Sequence, residues 1–194
     1  MGRKAKIIRE TKETRIELEF ALEGSGKTDI DTQNGFLNHL LCSFAKHGKF
    51  DIKIKAKGDI ETGTHHLVED IGICLGKAIN ESLGDKKGIE RFAFFILPMD
   101  EASVTVALDL GGRAFLNFDA DIPYAVMEGF ESIIVRDFFE ALVSNSFINL
   151  HIKKNSGINP HHIIEAIFKA FGKTLFIASR KTGNDDIPST KGML

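Results

Sequence analysis

A short motif that occurs twice constrains the fold of this chain more than any other feature. His65–Ile71 reads HHLVEDI, and the similar stretch HHIIEAI occurs at His161–Ile167, 96 positions later. Internal similarity of this kind indicates a duplicated structural unit. Two further pairs of stretches recur in the same order, with changes of offset that indicate loop insertions: Glu13–Phe20 with Glu101–Leu108, and Phe50–Ile54 with Ile148–Ile152. We therefore predict two homologous halves, 1–90 and 91–194.

Hydrophobic periodicity predicts the same elements in both halves. Strands are expected where apolar and polar residues alternate, and helices where apolar residues recur every three or four positions. In the first half this predicts strands at Arg15–Phe20 and Phe50–Lys57 and helices at Asn34–His47 and His65–Leu83, the last ended by Gly84. In the second half it predicts strands near Ala102–Leu110 and Phe147–Lys153 and helices near Phe130–Asn145 and His161–Ser179.

These elements predict an α+β fold. Each half is expected to be an antiparallel or mixed sheet with helices on one face, because each apolar sheet face must be covered. The two helix layers would then pack against each other. The polar, Gly- and Pro-containing segment Gly183–Leu194 is predicted to be a tail without secondary structure.

Composition excludes several classes of protein. Hydrophobic residues make up 43% of the 194 residues, which is enough for a large core, and the net charge of -2 gives no basis for binding nucleic acid or a membrane surface. Met1–Arg15 is charged and lacks the apolar stretch of a signal peptide. Cys42 and Cys74 are predicted to be buried free thiols, so a reducing compartment, the cytoplasm, is expected.

The repeated motif has the spacing of a metal site. On a helix, residues four positions apart lie on one face, so His65 and Glu69 can bind one ion together, as can His161 and Glu165. The second histidine of each motif, His66 or His162, is rotated by about 100° and points elsewhere. Each motif could therefore give its first His and its Glu to one ion and its second His to the other. Imidazole with carboxylate suits Mn, Fe or Zn.

Other polar residues are candidates for completing the site. His39 lies opposite the apolar side of its predicted helix, and His151 lies on the polar face of its predicted strand, so both are candidate ligands. Scattered basic residues are usually only solvated, but together they could hold a phosphate. The candidate phosphate-binding residues are His47, Arg91, Arg113, Lys169, Ser189 and Lys191.

Eight stretches in one order resemble the imidazoleglycerol-phosphate dehydratase family. They are Gly35–Leu41, His47–Asp51, Gly58–Asp59, His65–Gly72, Pro98–Ala102, Asp109–Arg113, His161–Ala166 and Pro188–Gly192. The resemblance covers nearly the whole chain, and the doubled HHxxE motif is its most specific part. The chain departs from the family's usual residues at Asn38, Thr64, Leu67 and Gly111. Asn38 and Thr64 adjoin presumed metal ligands, so they could alter how those ligands are oriented.

The resemblance implies a fold, an assembly and a reaction. The fold is two repeated halves, each a four-stranded sheet with helices, of the ribosomal protein S5 domain 2-like type. The assembly is a homo-oligomer of 24 subunits with two Mn2+ ions per site at subunit contacts. The reaction is dehydration of imidazoleglycerol phosphate to imidazole-acetol phosphate, a step of histidine biosynthesis. The substrate imidazole bridges the two ions, and Glu13 corresponds to the carboxylate that transfers the proton.

Two other functions remain open on the sequence alone. A di-metal phosphate-ester hydrolase would use a similar ligand set but release inorganic phosphate. A non-catalytic metal-binding scaffold or metal store would have no need of Arg91, Arg113 and Lys191.

Overall fold

Two α+β units with the same strand order make up the protein. The computed structural model describes residues 2–192. The first unit contains, in chain order, β1 (Lys4–Glu10), β2 (Thr14–Ala21), β3 (Thr28–Asp31), α1 (Gly35–Gly48), β4 (Asp51–Gly58), a short 3-10 helix (Ile60–Thr62) and α2 (His65–Leu83). Its sheet has the order β1-β2-β4-β3. β3 pairs in parallel with β4, and the other neighbours pair antiparallel.

The second unit repeats this arrangement and adds one hairpin. Its elements are β5 (Phe92–Met99), β6 (Ala102–Asp109), β7 (Phe115–Asp119), β8 (Val126–Met127), β9 (Phe130–Glu131), α3 (Ile134–Ser146), β10 (Asn149–Ser156) and α4 (Pro160–Ser179). The sheet order is β5-β6-β10-β7, with β7 parallel to β10. β8 and β9 form a separate two-stranded hairpin. The predicted α+β class is confirmed, with four strands in each main sheet.

The alternation that predicted the strands corresponds to one buried face per sheet. β2 buries every second residue from Thr14 to Phe20, and β4 does the same from Ile52 to Ala56. These side chains meet α2, which packs on β1 and β2, while α4 packs on β5 and β6. The core therefore lies between the two sheets and is filled by all four helices.

The two helix layers pack against each other, as predicted. α2 packs against α3, and α1 packs against α4, so each contact joins one unit to the other. Glycines allow these helices to approach closely. A Cβ added at Gly76 would lie 2.4 Å from the carbonyl oxygen of Leu142, and one added at Gly172 would lie 2.4 Å from that of Phe44. The interior is continuous across the units, and the division at residue 90 stays a prediction.

The structure corrects three expectations. The predicted helix near Phe130–Asn145 begins only at Ile134, because Gly129 turns the chain with φ of +80° and Phe130 pairs with Met127 in the hairpin. Phe147 is not in a strand but ends α3 in the left-handed conformation, and β10 starts at Asn149. Cys42 is partly exposed, whereas Cys74 is buried as expected.

The outer faces of the two sheets differ in character. On β5 the outward residues Phe92, Phe94 and Ile96 are strongly exposed. The matching positions of β1 carry Lys4 and Lys6, also exposed. The third matching position, Ile8, is apolar and exposed like Ile96, so the outer face of β1 is mixed, whereas that of β5 is apolar at all three positions. Among residues 2–192, no helix is long and apolar enough to span a bilayer.

We predict that the close helix contacts cannot accept a methyl group. Gly76→Ala and Gly172→Ala should each lower the free energy of unfolding by about 1–3 kcal/mol, because overpacking forces the helices apart. Denaturant unfolding followed by circular dichroism measures this. Lys77→Ala, at an exposed position of the same helix as Gly76, is the control and should change little. If the two glycine variants are as stable as this control, the close crossing is not a constraint.

Candidate metal centre

A group of three possible metal ligands lies where α1 meets α4. His161 and Glu165 are one turn apart on α4, and His39 comes from α1. The Nε2 atom of His39 lies 3.1 Å from Oε2 of Glu165, and Nε2 of His161 lies 3.2 Å from the same oxygen. One ligand atom from each residue lies within 4.8 Å of the others. The local sequence begins the helix here, since Pro160 occupies its first turn and Asn159 caps it by accepting a hydrogen bond from the His161 N–H.

The Glu165 carboxylate is the buried centre of this group. Only 7% of its side chain is exposed, so its charge needs partners. Lys169 lies 2.9 Å away, one turn further along α4, and the Ser43 hydroxyl lies 3.4 Å away. Burial alone would raise the pKa of Glu165, but hydrogen bonds from Lys169 and His39 lower that pKa to about 2. The carboxylate is therefore ionised, as a metal ligand must be.

A similar group lies at the contact of α2 with α3. Nε2 of His65 lies 3.7 Å from Glu69, and its Nδ1 lies 3.5 Å from Asp137 of α3. Asp137 occupies in α3 the position that His39 occupies in α1, 98 residues earlier. This group is more open than the first, because the side chains of His65 and Glu69 are about half exposed.

The second histidine of each motif contacts a different set of carboxylates from the first. His66 lies 3.1 Å from Asp59 and 3.9 Å from Glu13. His162 lies 2.7 Å from Glu101 and 3.6 Å from Asp100. A hydrogen bond with Asp59 raises the pKa of His66, and one with Glu101 raises that of His162. The hydrogen bond from His162, with a further one from the Asn159 N–H, lowers the pKa of Glu101 to about 2.

His151 lies apart from these groups within the chain. It is exposed on β10, with its ring 5.7 Å from that of Phe115 and its Nδ1 3.3 Å from the Asn117 amide. It shares a shallow hollow on the outer face of the second sheet with Phe92 and Phe94. The motif helices pack on the other face of their sheets, so His151 faces away from them.

Five of the six candidate phosphate-binding residues fall into two groups. His47 and Lys169 line one groove beside Ser43 and Glu165. Burial, with the charges of Lys169 and Lys173, lowers the pKa of His47.

The second group joins Arg91 to the tail. Arg91 donates two hydrogen bonds to Asp109, of 2.8 and 3.2 Å, and a third of 2.7 Å to the carbonyl oxygen of Pro188. Ser189 follows directly, and its hydroxyl accepts a hydrogen bond from the Lys191 N–H. Arg113 is exposed. The tail of the described chain has no helix or strand, as expected, while Met193 and Leu194 lie outside the described residues.

The departures from the family's usual residues fit their surroundings. Asn38 uses its amide oxygen to accept hydrogen bonds from the N–H and hydroxyl of Thr32, a role that a carboxylate could also fill. Thr64 donates to the carbonyl oxygen of Gly129. Leu67 is buried in the core. A Cβ at Gly111 would lie 2.7 Å from the Asp109 carboxylate and 3.1 Å from the Arg91 guanidinium. A larger residue there would therefore require the Arg91–Asp109 ion pair to shift.

Several carboxylates contact the motif histidines but were not predicted from the sequence. Glu101 could have been found, because the offset of 88 that relates the strands also relates Glu101 to Glu13. Asp137 could have been found from its relation to His39. Asp59 and Asp100 lie in stretches that resemble the family, but nothing in those stretches predicted a contact with a histidine, since their contacts depend on how two loops fold over the helix ends.

Comparison with known proteins identifies the family. Residues 32–175 match the family model for imidazoleglycerol-phosphate dehydratase. The imidazoleglycerol-phosphate dehydratase of Acetivibrio thermocellus is 51% identical over 195 residues, covering 100% of both chains. That of Bacillus subtilis is 48% identical and covers 99% of this chain and 100% of its own.

Solved structures agree. An imidazoleglycerol-phosphate dehydratase from Staphylococcus aureus superposes with a TM-score of 0.84 at 36% identity, covering 92% of this chain and 99% of its own. One from Pyrococcus furiosus, in complex with (S)-C348, gives a TM-score of 0.84 at 38% identity, covering 97% and 100%. The chain therefore belongs to the imidazoleglycerol-phosphate dehydratase family and is a hydro-lyase.

Proposed function

We propose that this protein dehydrates imidazoleglycerol phosphate to imidazole-acetol phosphate in histidine biosynthesis, with two divalent metal ions, Mn2+, in each active site. The observation that carries the proposal is the convergence of His39, His161 and Glu165 from two units of the fold, in a chain of this family. Imidazole and carboxylate ligands fit first-row divalent metals, so the residues present suit the ions.

The second ion would use the matching group. His65 and Glu69 supply a histidine and a carboxylate with the same spacing. Each ion would also bind the second histidine, His66 or His162, of the other motif. His151 completes the proposed set. The raised pKa values of His66 and His162 mean that protons compete with metal at these nitrogens as pH falls, because only neutral imidazole can bind an ion.

The site is proposed to be shared between chains of a homo-oligomer, a 24-mer by family resemblance. His151 lies on the outer face of the second sheet, away from the other proposed ligands, so a second copy is needed to bring ligands to it. The apolar residues around it, Phe92, Phe94 and Phe115, support a protein contact there, since contiguous exposed apolar surface marks interaction sites.

The phosphate is proposed to be held by His47, Arg91, Arg113, Lys169, Ser189 and Lys191. Lys169 is already paired with Glu165, and Arg91 with Asp109, so each cation is oriented before a ligand arrives. A fixed cation loses less entropy when it binds an anion. Binding the phosphate at a distance from the reacting carbons orients the substrate and lowers the barrier.

Glu13 is proposed to transfer the proton. Dehydration removes the hydroxyl beside the imidazole ring and a hydrogen from the neighbouring carbon, whose C–H bond has no adjacent carbonyl to acidify it. Divalent ions held by the motif residues would supply Lewis acidity to the substrate's imidazole. The Glu13 carboxylate is more than half exposed and lies beside His66, so it can reach a substrate bound at the motif helix. The water leaves, and the resulting enol becomes the ketone.

The direct test is the reaction itself. Mn-loaded protein incubated with imidazoleglycerol phosphate should yield a product lighter by one water that retains its phosphate, seen by mass spectrometry. His161→Ala, treated identically, should yield no product. Release of inorganic phosphate would favour a di-metal hydrolase, and an unaltered substrate would favour a metal-binding scaffold; either result would refute the proposal.

Metal content tests the ligand assignment. His65→Ala and His161→Ala should each lose about one of two equivalents of bound metal per chain, because each removes a ligand from a different ion. Atomic emission after gel filtration measures this. Glu81→Ala, which removes an exposed carboxylate of α2 outside the motif, is the control and should keep both equivalents. Two tightly bound ions in both histidine variants would show that the assignment is wrong.

Chelation tests whether metal and assembly are linked. Metal that bridges two chains stabilises their association, so stripping it should lower the mass measured by light scattering. Acid should do the same, because protonated imidazole cannot bind metal. A chelated protein that keeps its full mass would show that assembly does not need metal. A fully active monomer would refute the shared site altogether.

A further inference from the structure

A partly buried polar network lies beneath the turn that carries Glu13, with Asp70 and Thr14 buried and the side chain of Arg9 32% exposed. Asp70 of α2 forms an ion pair of 2.8 Å with Arg9 of β1 and accepts a hydrogen bond from the Thr14 hydroxyl of β2. Asp70 is only 8% exposed and Thr14 only 4%. The Nε atom of Arg9 is buried and has no partner among the described residues. A network that buries charge in this way is costly and needs a reason.

The second unit fills the same place with apolar side chains. The offsets that relate the two units match Arg9 with Leu97, Thr14 with Ala102, and Asp70 with Ala166. The strand registers agree, because Arg9 pairs with Ile16 and Leu97 pairs with Val104, 88 positions later in each case. Leu97, Ala102 and Ala166 are all buried. Packing of a hairpin on a motif helix therefore does not require polar residues.

The two hairpins differ in how their glutamates are held. Glu101 is fixed by its own carboxylate, which bonds His162 at 2.7 Å and accepts hydrogen bonds from the N–H groups of Asn159 and Ile158. Among residues 2–192, the Glu13 carboxylate makes one long contact, 3.9 Å to His66. Glu13 is thus free to meet a substrate, but its own side chain does not fix its position.

The backbone around Glu13 is fixed instead. Its N–H donates to the Thr11 hydroxyl, and its carbonyl oxygen accepts from the Asp59 N–H. Asp70 then binds both strands that flank this turn, and it lies one helical turn after His66 on α2. The network therefore ties the Glu13 turn to the helix that carries His65, His66 and Glu69.

We propose that Arg9, Thr14 and Asp70 form a positioning network that sets the distance between Glu13 and the motif helix. The inference rests on the proposed role of Glu13 in proton transfer. The unit whose glutamate must remain free has the polar network, and the unit whose glutamate is fixed by its own hydrogen bonds does not. A displacement of the order of 1 Å at a catalytic group can reduce a rate by about a hundredfold.

The second unit provides the variant that tests this. In the triple variant Arg9→Leu, Thr14→Ala, Asp70→Ala the network is replaced by the side chains that the second unit uses. We expect a free energy of unfolding equal to that of the original protein and an unchanged metal content. KM should stay within about twofold, and kcat should fall by about tenfold or more. Thr14→Ser alone keeps the hydroxyl and should keep kcat. Arg15→Leu, which breaks an exposed ion pair with Glu17 on the same strand, should also keep it.

A mutant cycle separates positioning from general damage. Glu13→Gln should lower kcat by about a hundredfold or more, and adding the triple variant to Glu13→Gln should lower it little further. If the reductions in kcat caused by Glu13→Gln and by the triple variant multiply when the two are combined, the network does not act through Glu13 and the inference is overturned. If Glu13→Gln keeps near-normal kcat, the proposed role of Glu13 is wrong. If Glu13→Gln loses kcat but the triple variant keeps it, only the positioning role fails. If the triple variant does not fold, Asp70→Asn takes its place in the cycle with Glu13→Gln, and the same comparison of kcat values decides between these outcomes.

Discussion

The contact between α1 of the first unit and α4 of the second is the interaction on which the candidate site depends. It brings His39 to His161 and Glu165, which are 122 or more positions away along the chain. The contact is close because Gly172 has no side chain where α4 crosses the backbone of Phe44. Glu165 can remain ionised in this contact because Lys169 and two histidines surround it. The α1–α4 contact therefore combines a close helix crossing at Gly172 with the neutralisation of the buried Glu165 charge.

The same arrangement of strands and helices occurs twice in the fold, and the two copies differ in the contacts of their motif histidines. His66 and His162 each meet a glutamate, Glu13 or Glu101, from the equivalent hairpin. The His162–Glu101 distance in the second unit is 2.7 Å, whereas the His66–Glu13 distance in the first is 3.9 Å. Likewise, Asp137 occupies in α3 the place of His39 in α1. Differences of this kind are expected when only one of two related groups must stay free for a substrate.

Sequence patterns located the elements that bury one face and missed those that do not. β2 and β4 alternate strictly because one side meets the helices, so periodicity identified them. β1 and β3 are edge strands with few buried residues, and β5 is apolar on its outer face as well, so none of them showed a clear period. Family resemblance supplied the four-strand count that periodicity could not.

In the candidate site, too, the sequence predicted local features and not the contacts made by loops. His65 with Glu69, and His161 with Glu165, could be predicted because ligands four residues apart on a helix are a local feature. The contacts of Glu13, Asp59, Asp100 and Glu101 depend on loops that close over the helix ends, and no local pattern encodes them. The partly buried network of Arg9, Thr14 and Asp70 was not predicted either, because in the sequence its three residues look like surface residues of separate elements.

The central claim is that the paired motifs hold two metal ions between chains. Anomalous diffraction from crystals of the Mn-loaded protein tests it most directly. We predict two manganese peaks per chain, one beside His39, His161 and Glu165 and one beside His65 and Glu69. A neighbouring chain should supply a ligand such as His151 to a site. Peaks elsewhere, or sites completed entirely within one chain, would contradict it.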